Sequence, residues 1–197
     1  MRCSRRPDTA LRGAAIATLS AILGLALAAT PLPALAGGIS IEYAATKLVA
    51  DAYKLDARIK FDLGDEISAA LQHGVELHID VFMKVRRERK WLWDPLIAES
   101  SLSYILQQHP LSEDYVVTDV THGTRHQFPS LEAALKHIGS IDNHPLVAGD
   151  RLNEESEYAG YIRAALNIEM LPVPLQPLAY VSEKWRMGSS WYEWVVR

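Results

Sequence analysis

The chain has 197 residues, a formal charge of −4 and a single cysteine. That balance lacks the basic footprint nucleic acid demands, and a lone Cys3 excludes an internal disulfide. The length suits one domain able to bury its own core.

Arg2, Arg5, Arg6 and Arg12 open the chain. Leu11–Ala29 is apolar and small apart from Arg12, and Pro31 and Pro33 precede Ala34-Leu35-Ala36. A basic start, an apolar middle and an A-x-A end form the pattern of a secretory signal. Residues 1–36 are therefore expected to be cleaved off after Ala36. A retained anchor is the alternative, but Ala14–Ala29 is shorter than the roughly 20 apolar residues of a span. Pro7-Asp8-Thr9 after Arg5-Arg6 favours the general secretory route over the twin-arginine one. Cys3 leaves with the signal, and Gly37 stands where a lipoprotein would carry cysteine. Residues 1–36 hold four of the 20 basic and one of the 24 acidic residues, so the remainder carries 16 against 23, a formal charge of −7. The expected product is one β-rich periplasmic domain over residues 37–197.

In the remainder, Tyr53, Leu55, Ala57, Ile59 and Phe61 alternate with Lys54, Asp56, Arg58 and Lys60. Successive side chains of a strand point to opposite faces, so this is a half-buried strand. Ile67, Ala70 and Leu71 then recur at helical spacing in Asp65–His73, with Gly74 as a C-terminal stop. Val75–Val85 alternates over eleven residues and is the strongest strand signal. Asp94-Pro95 marks a turn, after which Leu96, Ala98, Leu102, Tyr104 and Leu106 share a face, so a long hairpin is expected. Tyr115–Val120 and Arg125–Phe128 form two more strands around a turn at His122-Gly123. Ser130 caps a helix over Leu131–Ile138, closed by Gly139. Tyr158–Ile168 reads as a late strand, Asp150–Glu157 as the most loop-like stretch, and Trp191–Val196 as a final strand. Leu171–Pro177 holds three prolines and is expected to be neither helix nor central strand.

Many alternating strands with one apolar face each predict a mainly β protein, an antiparallel two-layer β-sandwich with two short helices. Ala69–Val75, Arg86–Trp91, Phe128–Leu135, Leu171–Leu175 and the downstream Trp185 and Trp191 give the chain the look of a family. It resembles the exported bacterial family called domain of unknown function 4390. That family has no assigned activity, so the resemblance carries over no catalytic residue. It implies a bacterial envelope setting and, because its genes sit near a membrane sensor kinase of the nitrogen-regulation type, a sensor as partner.

Chemical motifs are absent from the sequence. His122 and His126 are four apart, but Gly123 lies between them in a strand context, with no H-E-x-x-H pattern. No metal is expected there, and His73, His78, His109, His137 and His144 are scattered along the chain. Gly188-Ser189-Ser190-Trp191 is not a nucleophile elbow, and Asp65-Glu66 and Glu154-Glu155 occupy ordinary places for acids. No catalytic residue and no cofactor are assigned. The basic run Arg86–Trp93 stands out, because Arg87 and Arg89 inherit the inward parity of Val75–Val85. Either the strand outruns the core there or a bulge flips its faces. Arg87, Arg89, Trp91 and Trp93 are the candidate interaction surface, expected to be locally positive, with edge protection as the plainer reading. The Pro-rich run and the aromatics Trp185, Trp191, Tyr192 and Trp194 are expected to close the core. The leading functional expectation is a non-enzymatic periplasmic binding or accessory domain that modulates a membrane sensor protein or meets an anionic membrane surface. The runner-up is a carrier holding a lipid or other apolar ligand between its sheets, and an enzyme of undetected type comes third.

Overall fold

The computed structural model describes residues 38–89, 93–153 and 155–197; the expected signal segment lies outside them. The first two strands, β1 (Ile39–Val49) and β2 (Ala52–Phe61), form a hairpin. Ala50 and Asp51 close it, both with positive φ (49° and 63°). Two consecutive left-handed residues give a two-residue turn the twist of the strands it joins. Leu55, Ala57, Ile59 and Phe61 are buried, which is the face the alternation of β2 predicted. Helix α1 (Gly64–Gln72) follows, with Ile67 and Leu71 fully buried. Burying two such side chains contributes about 1.5–3 kcal/mol each, which anchors a helix too short to stand alone. It stops at His73, whose ring nitrogen Nδ1 lies 2.6 Å from the Ala69 carbonyl, and Gly74 (φ +85°) turns the chain away.

β3 (Leu77–Arg87) and β4 (Leu96–Gln108) make the expected long hairpin, with Leu77 opposite Leu106 and Val85 opposite Ala98. β3 buries Leu77, Ile79, Val81, Met83 and Val85. Next come β5 (Tyr115–Asp119), β6 (Thr124–Phe128), helix α2 (Leu131–Gly139), β7 (Ser140–Ala148), β8 (Tyr158–Leu166), helix α3 (Gln176–Val181) and β9 (Tyr192–Val195). Six strands form one sheet in the order β6-β5-β4-β3-β8-β9, and three form a second in the order β1-β2-β7. Every described pair is antiparallel. The sheets meet face to face, β1 against β8 and β9, and β7 against β3 and β4. The protein is thus mainly β with two sheets, as the alternation implied.

Some expectations are corrected by the structure. The described residues hold three α-helices rather than two, because α3 begins inside the Pro-rich run with Pro177 in its first turn. Proline there lacks only an N–H that the helix would leave unpaired anyway. Gly139 is the last residue of α2 rather than a left-handed stop. A Cβ there would overlap the Ile59 carbonyl oxygen, so the glycine lets α2 abut β2. β8 ends at Leu166, and Ile168 enters a 3-10 turn instead. β1 and β7 went unread. A bulge between Ile41 and Tyr43 breaks the period of β1. β7 holds Pro145 and the left-handed Asn143, which an edge strand tolerates.

Candidate functional site

The basic end of the β3–β4 hairpin is built by backbone first. Arg87 N–H donates to the Pro95 carbonyl at 3.2 Å, and Glu88 N–H to the Glu157 carbonyl at 2.9 Å. Arg89 N–H donates to Asp94 Oδ1 at 2.9 Å. The register steps from Val85 opposite Ala98 to Arg86 opposite Leu96, so the extra residue, Ile97, is on β4 and not on the arginine strand. β3 therefore keeps its parity to the last residue, and Arg87 does point inward, at the end of the sandwich where the core thins.

Tyr158 receives Arg87. It lies directly opposite on β8, is 4% exposed, and its ring centroid is 5.7 Å from the guanidinium. The tyrosine hydroxyl accepts from Arg87 Nη2 at 3.3 Å and from Asn153 N–H at 2.9 Å. Burial pushes that phenol up, but the two donors outweigh it and hold its pKa below the ordinary tyrosine value. Arg87 Nε is buried without a partner. Arg89 and Trp93 behave differently. Arg89 is exposed, and Trp93 is 94% exposed. Trp91 lies outside the described residues.

An open cleft of about 810 to 880 Å³ is common to two places on the surface, and the larger, 880 Å³, adjoins this end. Arg87, Arg89, Glu88, Asp94, Glu155, Glu157 and Glu193 line it together with Ser156 and Tyr161. Five carboxylates stand against two guanidiniums, so the cleft is net acidic among the described residues, where a positive surface was expected. Tyr161 responds to that field. Partial burial raises its pKa, and the carboxylates of Glu193, Glu88 and Asp94 raise it further.

The remaining candidates fall into structural roles. Trp185 and Trp194 are buried, as core closure requires, whereas Trp191 is 42% exposed and lies under the Lys84 ammonium at 5.4 Å. Trp185 Nε1 donates to Glu66 Oε1 at 2.8 Å, tying the C-terminal segment to α1. That bond, followed by the one from Lys184, lowers the Glu66 pKa. Trp194 lies against Gly160, where any Cβ would overlap its ring. Ser189 is buried, and its Oγ accepts from Ala164 N–H at 3.0 Å. His122 and His126 flank a hairpin turn, as expected, but an acidic partner missed in the sequence is present. Asp119 Oδ2 lies 2.8 Å from His122 Nδ1. Among the described residues no three His, Cys, Asp or Glu side chains are grouped to hold a metal. Also unforeseen is the approach of His126 to His137, ring centroids 4.9 Å apart. Nothing in the local pattern of β6 or α2 signals it, because their pairing is a tertiary fact.

The model of the family described as Domain of unknown function (DUF4390) matches residues 36–195. No curated protein and no solved structure matches the chain.

Proposed function

We propose that this chain, which belongs to the domain-of-unknown-function 4390 family, is an exported, non-enzymatic binding or accessory domain that engages a membrane sensor protein through the end of its β3–β4 hairpin. Trp93 carries the reading. A tryptophan 94% in water, with Leu96 half exposed nearby, presents apolar area that the fold itself does not use. Trp and Arg are also the residue types that dominate binding hot spots. The carboxylates around Arg87 and Arg89 favour a partner that offers basic groups beside an apolar socket, rather than anionic headgroups. Among the described residues no helix is long and apolar enough to cross a membrane. The carrier reading is less well supported, because Leu55, Val81, Met83 and Ile162, all with no exposure, fill the space between the sheets.

Photo-crosslinking in cells distinguishes these readings. A crosslinker at position 93 is expected to trap a membrane protein, while one at Leu111, equally exposed (92%) beyond the other end of β4, traps none. Trp93→Ala should abolish the association and leave thermal stability unchanged. Equal trapping from both positions, or none from position 93, refutes the proposal.

A further inference from the structure

Four of the seven histidines gather around the β5–β6 hairpin, His122, His137 and His144 within reach of the Asp119 carboxylate and His126 against His137. Asp119 ends β5, His122 lies in the following turn, His126 is on β6, His137 in the last turn of α2, and His144 on β7. The rings of His126 and His137 are 4.9 Å apart, and Phe128 lies 6.5 Å from the first and 5.0 Å from the second. His144 Nε2 is 3.1 Å from Ser100 Oγ of β4, a contact that links the two sheets. His122 Nδ1 is 2.8 Å from Asp119, whose side chain is only 13% exposed. Tyr104 of β4, opposite Asp119 in the register, is pushed up to about 12 by burial and by Asp119, and stays neutral. The other charged neighbours are Lys136 next to His137 and, two residues before His144, Asp142, which Arg58 binds at 2.7 Å; Arg125 precedes His126 on the strand and so faces the opposite side of the sheet. β5 and β6 have five residues each and are the outermost strands on their side of the sheet; α2 packs on both.

We propose that this cluster is an acid-sensitive clasp: with uncharged rings it holds the β5–β6 hairpin against α2, and acidification of the envelope loosens the hairpin. Protonation would put like charges on the two rings of the 4.9 Å contact between β6 and α2, with Lys136 adding to the excess. Partial burial, and then His126, hold the His137 pKa below the ordinary histidine value against the opposing pull of Asp119. Burial, and then His122, do the same for His144. A base held down in the closed form takes up its proton more readily in the open form. The clasp is therefore complete above the ordinary histidine pKa and is lost as pH falls through the lowered values. The device stands apart from the binding reading, since none of its residues lines the hairpin end.

Amide hydrogen exchange, corrected for intrinsic rates and compared at about pH 7.5 and about pH 5, one to two units either side of the histidine value, tests it. Amides of Thr124–Phe128 should lose about fivefold in protection at the lower pH, the order expected for two like charges about 5 Å apart in water. Amides of Ile79–Val85 in the central strand should not change. The double variant His126→Gln, His137→Gln should abolish the loss. His126→Gln alone, at an exposed position, should abolish most of it, and this single variant decides the matter if the double one fails to fold. Equal protection of β6 at both pH values in the wild type, or an undiminished loss in His126→Gln, overturns the proposal.

Discussion

Replacing Tyr158 by Phe tests how the candidate end is held together. The ring is buried and packs under the Arg87 guanidinium, so its removal to Phe keeps the packing and takes only the hydroxyl. That hydroxyl accepts two hydrogen bonds, 2.9 Å from Asn153 N–H and 3.3 Å from Arg87 Nη2. The first fastens the 151–157 loop to the end of β8, and the second is long and partly solvated. Losing one good acceptor at a half-buried site costs about 1–2 kcal/mol. For a chain of this size that lowers the melting temperature by roughly 3–6 °C. Because the loop is what the hydroxyl restrains, trypsin should cut after Arg151 faster in the variant at temperatures well below melting. Arg87→Met should be close to neutral, since it loses a long bond but also removes a buried Nε with no partner. A double-mutant cycle should then give a coupling under about 1 kcal/mol. If Tyr158→Phe melts within a degree of wild type and its loop resists trypsin equally, the hydroxyl does not organise this end and Arg87 is held by the ring alone.

Two substitutions probe the backbone of the scaffold. Gly139→Ala should cost about 1–3 kcal/mol, because its Cβ meets the Ile59 carbonyl and not a side chain able to turn away; a melting temperature at or above that of wild type would contradict the abutment of α2 on β2. Ala50→Gly should stabilise by about 1 kcal/mol, since alanine in the left-handed region carries a steric cost that glycine avoids; denaturant unfolding that shows no gain would mean the turn is relaxed by other contacts.

Where a segment's own periodicity matches its final environment, the sequence was readable without a structure. β2 and β3 are buried on one face along most of their length, so alternation and burial coincide, and their residues Leu55 to Phe61 and Leu77 to Val85 declared themselves; β4 follows its expected face only through Leu102, Tyr104 and Leu106, because the bulge at Ile97 turns Leu96 outward, 49% exposed. α1 and α2 were legible for the same reason, with Ile67 and Leu71 or Ala134 and Ile138 on one side of a short helix, and Ser130 accepting from Ala133 N–H as a cap. β1 and β7 were not, because a bulge, a proline and a left-handed asparagine erase the period of strands that a partner nonetheless recruits.

The candidate site divides along the same line. That Arg87, Arg89 and Trp93 share one hairpin end could be read by following the chain from β3 to the turn at Pro95, but the inward direction of Arg87 could not, since a bulge on β3 would have flipped it. Nor could what surrounds them. The carboxylates of Glu155, Glu157 and Glu193 reach the cleft from the 151–157 loop and from β9, and among the described residues they outnumber the arginines that line it. His126 and His137 likewise meet only because β6 and α2 pack together. Local pattern determines which face of a strand or helix is apolar, since that depends on neighbours a few positions away. Charge balance around a site depends on groups close in space but remote along the chain, and only the tertiary structure sets those distances.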